Sequence, residues 1–293
     1  MSERRSMDMA GASGLVMFSA LLAFNQVVIK ITNAGFSPVF AAGLRSVLGA
    51  VVLLAWVALR KRGALRGMWQ SIGGGLLLGL LFSAEFVMLF QALDLTTVSR
   101  ASIVFYSMPV WLALAAHLLL PGERLSAVRL AGLLLAMAGV AWALWDPRSR
   151  SAGDWHGDLM ALAAAILWAG IALTVRVTRA SEMSAEAQLL WQQLPSAVLL
   201  LLIAPLFGPL LRAPGALHIA GLGFQGVIVV GFGFLAWLSL MKRYRASDVA
   251  AFSFLSPVLA VGLGWLLLDE PVGPQFLGAL VLVALGIVLI NRR

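Results

Sequence analysis

Cysteine is absent from this 293-residue chain, so neither a disulfide nor a thiolate metal site is open to it. Charge is scarce as well: Asp, Glu, Lys and Arg make up 12% of the residues, about half of the roughly 25% typical of soluble domains. The three histidines, His117, His156 and His218, fall on separate segments. No H-E-x-x-H or Gly-x-Ser-x-Gly accompanies them, so neither a zinc nor a serine hydrolase is signalled, and no metal or cofactor is expected. The stretch GLGFQG at 221–226 does match the dinucleotide fingerprint letter by letter. That motif needs a preceding strand and a water-facing helix start, whereas here it lies inside an apolar run, where glycines serve close helix approach.

What the chain has instead is hydrophobic length. Of its residues 61% are hydrophobic and the mean hydropathy is +0.95. Ten apolar runs, at about 11–31, 36–59, 71–93, 97–120, 125–145, 157–175, 186–208, 217–241, 246–268 and 272–290, are separated by short charged gaps. About 20 residues suffice to cross a bilayer as a helix. Backbone amides find no water in hydrocarbon, so these spans must be helices packed as a bundle. The expected fold is an all-α integral membrane protein of ten transmembrane helices with no soluble domain left over. Arg4 and Arg5 ahead of the first run imitate a signal peptide, but the run continues through Asn25 and Gln26 to Lys30 without a small-residue cleavage site, which marks a retained first helix.

The net charge of +8 reflects orientation rather than a nucleic-acid partner. Of the 21 Lys and Arg residues, 15 fall in the two tails and the even-to-odd connections, among them Arg60, Lys61, Arg62, Arg124, Lys242, Arg243 and Arg245. Five fall on the other side, namely Lys30, Arg100, Arg148, Arg150 and Arg212, and Arg45 lies within a span. Positive residues favour the cytoplasmic side, so both termini are expected there.

The chain contains itself twice. Sliding the sequence by 147 to 148 residues lays SRASIVFYSMPVWLALAAHLLLPGERL over SDVAAFSFLSPVLAVGLGWLLLDEPV, pairing Ser99 with Ser247, Pro109 with Pro257 and Glu123 nearly with Glu270. Five spans separate the copies, and an odd number turns the second copy upside down. The halves 1–146 and 147–293 are therefore expected to be inverted five-helix repeats. This architecture is typical of secondary transporters, whose site lies near the midplane beside Pro- or Gly-interrupted helices in corresponding positions. A proline inside a helix removes one backbone hydrogen bond and frees polar groups that need partners or a wet cavity. Pro109 and Pro257 are accordingly expected to kink spans four and nine and to serve gating; packing is the competing role.

Ser99, Ser102, Tyr106 and Pro109 share one helical face by their spacing, mirrored in span nine by Ser253, Ser256 and Pro257. Phe82, Phe86 and Phe90 form a stripe in span three, with Phe86 matched by Phe234 in span eight. Either face could line a pore or pack between helices. Ionisable residues inside spans are costly, about 2.5–3.5 kcal/mol each near the helix centre. Glu85 and Arg45 stand at a shared depth, about eight and about nine residues from the outer ends of their spans, and are expected to form a structural ion pair. The repeat counterpart of Arg45 is the uncharged Gln193. Lys30 either snorkels to the interface or shares a face with Gln26, where a carboxylate could reach both.

The stretches FNQVVIKITNAGFSPVFAAGLRS, QALDLTTVSRASIVFYSMPVWLALAAHLLLPGERL and LAGLLLAMAGVAWAL resemble the EamA repeat of the drug/metabolite transporter superfamily, and the second half repeats the pattern. Within that superfamily the chain is most similar to the YddG-type bacterial exporters of aromatic and other amino acids. It departs from the pattern in span one, where Phe24, Asn25 and Gln26 replace a common Trp-Gly pair; span six keeps Trp168 with Gly170. The resemblance implies export of amino acids from a bacterial inner membrane by alternating access, through a cavity lined by spans one, three, four, six, eight and nine. The expected binding set is Asn25, Gln26, Phe82, Glu85, Phe86, Ser102, Tyr106, Trp168, Phe234, Ser253 and Ser256, and the expected unit is a monomer. Asn25, Gln26, Ser102, Tyr106 and Ser256 could satisfy an ammonium and a carboxylate without burying a net protein charge. A carrier of phosphorylated or nucleotide-linked metabolites is the competing reading. It would want two or more cations at mid-depth, where the sequence offers only Arg45 and Lys30. An intramembrane enzyme, the third class, lacks a paired nucleophile and base.

Overall fold

The computed structural model describes residues 8–60, 63, 65, 67–120, 126–145, 153–234, 236, 240 and 255–291. Glu123 and Ser253 lie outside the described residues. Regular structure is helical: α1 Met9–Gly35, α2 Pro38–Arg60, α3 Ile72–Leu95, α4 Val98–Phe105, α5 Met108–Leu119, α6 Ala127–Trp145, α7 Trp155–Val177, α8 Ala185–Ile203, α9 Ala216–Gly223, α10 Leu255–Leu268 and α11 Pro274–Asn291. Side-chain oxygens placed just ahead of the apolar runs start several of them. Asp8 accepts from the Gly11 N–H at 2.7 Å, Thr97 from Arg100 at 3.1 Å and Ser184 from Ala187 at 3.1 Å. Each cap satisfies a donor that the first helical turn leaves open. Among the described residues, seven helical stretches are long and apolar enough to cross a membrane, and three shorter apolar helices, Ala127–Ala143, Leu255–Leu268 and Pro274–Leu289, accompany them. With α4 and α5 counted as one broken span, the chain is a ten-helix membrane protein. Apolar side chains such as Leu54, Leu80, Leu202 and Trp265 stay exposed on its outside, as a lipid-facing surface requires.

Packing follows the duplication. Helix α6 lies on α11, and α2 on α8, each against its own copy. Helix α3 packs on α7 and α8, while α9 and its continuation pack on α1 and α2; α10 packs on α1 as α4 and α5 do on α7. Each relation thus occurs twice with the halves exchanged, as a two-fold inverted repeat demands. The closest approaches repeat as well. A Cβ on Gly139 would stand 2.7 Å from the Ala279 carbonyl oxygen, and one on Gly286 would stand 2.5 Å from the Gly132 carbonyl oxygen. Both positions keep the same 147-residue offset from their partners' copies. Glycine is required at each because backbone, which cannot yield, occupies the space.

Two helices depart from regularity. Span four is interrupted at Tyr106 and Ser107, whose ψ angles of 3° and −4° tighten the chain between α4 and α5. Ser107 donates its N–H at 3.1 Å and its hydroxyl at 2.6 Å to the Val104 carbonyl. Pro109 is not an interior kink residue, as the sequence suggests, but the second residue of α5. The reason is physical: the first turn of a helix makes no use of the missing N–H, so proline opens a helix more easily than it bends one. Pro257 lies in α10, whose described part begins at Leu255. The interior proline is Pro195 in α8, whose ring occupies the space left by Gly79, 2.6 Å from where a Cβ would stand. In span eight, α9 passes into a π-helical stretch, Phe224–Gly233, and the Phe234 N–H still bonds to the Val229 carbonyl. Gly226, Gly231 and Gly233 let this wider turn lie against Leu48, Val52 and Leu21.

Candidate functional site

A cavity of about 230 Å³ lies where α1, α2, α3, the α4–α5 break, α7, the end of the π-helical stretch and α10 converge. The break supplies three of its walls within four residues: Phe105, Tyr106 and Met108 all face it. Helix α1 contributes Asn25 and Gln26, α2 contributes Arg45, and α3 contributes Phe82, Glu85 and Phe86 from one helical face. Trp168, Phe234 and Ser256 complete the centre. The rings of Phe82, Phe86 and Phe90 stack along α3, with centroids 4.1 and 5.6 Å apart.

Nine of the residues expected from sequence therefore share one cavity: Asn25, Gln26, Phe82, Glu85, Phe86, Tyr106, Trp168, Phe234 and Ser256. Ser102 is fully buried in α4 beside them but does not line it, and its hydroxyl has no hydrogen-bond partner. Pro109 and Pro257 are not among the lining residues. Lys30 does not share the cavity with Gln26; its ammonium group donates to the Leu93 and Thr96 carbonyls at 3.0 and 2.6 Å, holding the end of α3. Leu15, Phe18, Ser19, Leu22, Leu89, Phe105 and Met108 line the cavity without having been singled out. In helices that are apolar all round, no periodicity separates a cavity-facing leucine from a lipid-facing one.

Arg45 and Glu85 do lie together, but not as a closed ion pair. The Arg45 guanidinium sits over the Phe86 ring, 4.3 Å from its centroid. Its Nε and Nη1, and Oε2 of Glu85, have no hydrogen-bond partner, although both residues line the same cavity. Asn25 Oδ1 and Gln26 Oε1 are equally unpartnered. Tyr106 lines the same cavity as Gln26 and Ser256. So many open polar atoms in an apolar enclosure are costly unless something fills them.

Beyond the cavity, contacts between the two halves gather at the end that carries Gly35. Glu270, following α10, accepts the Val98 N–H at 2.6 Å and the Ser99 N–H at 2.9 Å, capping α4 from the other repeat. Asp269 takes a left-handed φ of 52°, and the Glu270 N–H reaches back to the Gly264 carbonyl, which turns the carboxylate toward α4. A Cβ on Gly264 would stand 2.6 Å from that carboxylate. Arg100 pairs with buried Asp158, its Nε at 3.1 Å and its Nη2 on the second oxygen, while Thr96 also donates to Asp158. Arg212 forks onto Asp94 at 2.7 and 2.9 Å and donates to the Asn33 carbonyl. None of these contacts was expected from sequence, where Glu270 served only to fix the repeat.

Known proteins share this chain's length and shape. It is 22% identical to the uncharacterized transporter YoaV of Bacillus subtilis over 94% of both chains. It is 29% identical to the aromatic amino acid exporter YddG of Ancylobacter novellus, covering 84% of this chain and 85% of that one. A solved crystal structure superposes with a TM-score of 0.67 at 25% identity, covering 95% of this chain and 96% of the other. The sequence profile of the EamA-like transporter family matches residues 9–145 and again 155–292. One match per half, over nearly the whole length, places a transporter rather than an enzyme around the cavity: the chain belongs to the EamA-like transporter family.

Proposed function

We propose that this transporter exports amino acids, aromatic ones and other small amphipathic metabolites among them, from the cytoplasm of a bacterium by alternating access. The observation that carries the reading is the cavity itself. It is walled by Phe82, Phe86, Trp168 and Phe234, it meets the broken helix of one repeat and the proline-bearing α10 of the other, and it holds open polar atoms at mid-depth. Aromatic walls suit an apolar side chain, and a few convergent polar atoms fix orientation. The kinship with an aromatic amino acid exporter supports the same cargo. On this reading the halves 1–146 and 147–293 exchange roles during the cycle, and Pro109 and Pro257 permit α5 and α10 to tilt apart from the segments before them. The lopsided Lys and Arg distribution puts both termini in the cytoplasm, so the Gly35 end faces outward. The working unit is a monomer in the inner membrane.

A carrier of phosphorylated metabolites fits less well, because among the described residues the cavity presents one cation, Arg45, and a carboxylate, Glu85. A doubly charged phosphate would need more positive charge than that pair supplies. Purified protein in liposomes loaded with unlabelled phenylalanine or leucine tests the reading. Exchange for external labelled amino acid, recovered chemically unchanged, is expected. Exchange of sugar phosphates with no exchange of amino acids would contradict it.

A further inference from the structure

We propose that Arg45 and Glu85 form a zwitterion clamp in which Arg45 takes the cargo's carboxylate and Glu85 its ammonium group; this inference rests on the amino-acid reading above. Both side chains are almost wholly buried, at 3% and 2% exposure, and both line the cavity. Two buried opposite charges at one depth ordinarily neutralise each other, and this chain contains an example. Arg100 spends both Nε and Nη2 on the carboxylate of Asp158. Arg45 does not: its Nε and Nη1 are open, and so is Oε2 of Glu85. Its guanidinium is held instead by its face, on the Phe86 ring at 4.3 Å. Stacking fixes the plane of a guanidinium and leaves its N–H edge free, the geometry that recognises a carboxylate with two parallel bonds.

The opposite pole has the complementary chemistry. An ammonium group carries three donors and no acceptor. Glu85, Asn25 and Gln26 line the same cavity, and their Oε2, Oδ1 and Oε1 are three buried acceptors without hydrogen-bond partners. The clamp also accounts for why the repeat is broken at this point. Gln193 stands where the second half would repeat Arg45, and Phe232 and Gly233 stand where it would repeat Glu85. One half alone supplies the charges, so the cargo can bind in a single orientation. A protein pair of zero net charge matches a cargo of zero net charge. A ligand with only one of the two charges leaves the other protein charge unmatched in a dry enclosure, which is rejection built from the same residues.

Titration calorimetry on the purified full-length protein tests this with four probes: phenylalanine, phenethylamine, 3-phenylpropanoate and phenylalaninamide. Wild-type protein is expected to bind phenylalanine about 10- to 100-fold more tightly than each single-charge analogue. Arg45→Gln should weaken phenylalanine by a similar factor while strengthening phenethylamine, which no longer leaves an unmatched guanidinium in the cavity. Glu85→Gln should weaken phenylalanine and strengthen 3-phenylpropanoate, which no longer faces an unmatched carboxylate. Should a variant fail to fold, the analogue series on wild-type protein decides alone. Equal binding of phenylalanine and phenethylamine, or a variant that weakens phenylalanine and its matched analogue alike, overturns the clamp and spares the amino-acid reading. No binding of phenylalanine overturns both.

Discussion

Ser99 gives both of its donors to one oxygen of Glu270: its N–H lies 2.9 Å and its hydroxyl 2.7 Å from Oε2. The two residues are 171 positions apart and belong to different repeats. A helix start carries open N–H groups and partial positive charge, so a carboxylate there is a strong, directional cap. This one latches α4 of the first half to the end of α10 of the second, at the Gly35 end of the bundle.

If the latch holds that end shut, Glu270→Gln should loosen it, because the amide oxygen replaces two carboxylate oxygens and the charge is lost. The chain has no cysteine, so a single Ser256→Cys, at a position that lines the cavity, reports access cleanly. Its labelling by a membrane-impermeant reagent from outside should rise about tenfold, equivalent to a shift of about 1.4 kcal/mol between access states. Glu123, the repeat counterpart, should act with the opposite sign when changed to Gln. Labelling unaffected by either change would remove the latch from the account.

Arg100 and Asp158 form a buried ion pair, with side-chain exposures of 3% and 6%. Removing one partner strands the other charge, so Arg100→Leu or Asp158→Leu should each cost about 3–5 kcal/mol. Removing both should cost much less. A double-mutant cycle on thermal unfolding in detergent measures the difference, and additive losses would show that the pair is not coupled.

Pro109 occupies the first turn of α5, where alanine is accepted without strain. Pro109→Ala should therefore leave unfolding within about 1 kcal/mol of wild type. Transport should nevertheless fall, since the new N–H can join α4 to α5 and remove the separate movement of the two segments. Pro257→Ala should do the same for the other access state. Full transport by both well-folded variants would reduce the prolines to packing.

Single cysteines replacing Ala64 and Arg245, which lie outside the described residues along with Ser149, should label only from the cytoplasm, and one replacing Ser149 only from outside. Reversed labelling would turn the molecule over and put the Gly35 end inside.

The spans were legible because apolar length is a one-dimensional property, and α2 or α7 can be read directly from their runs. The duplication was legible for the same reason, carried by Pro109 over Pro257 and Ser99 over Ser247. Phe82, Glu85 and Phe86 were legible as one face of a regular helix. Contacts across the bundle were not. Shared depth suggested that Arg45 meets Glu85, but depth does not give the direction of a side chain around its helix, and Phe86 takes the guanidinium face instead. Lys30 was one turn from Gln26 in sequence, yet its long stem reaches the carbonyls at the end of α3. Asp158 and Glu270 drew no functional reading because each acts on a partner in a distant segment. The helix break at Tyr106 and Ser107 was expected from Pro109, while its position ahead of the proline reflects where a helix can restart.

The central claim, that an amino acid occupies the cavity between the repeats and crosses with it, is tested most directly by counterflow in proteoliposomes. Vesicles loaded with unlabelled phenylalanine and diluted into labelled phenylalanine should take up label transiently above equilibrium, and Trp168→Ala should slow that uptake through weaker binding while the protein stays folded. No transient accumulation by well-folded wild-type protein, with phenylalanine on both sides, would contradict the account.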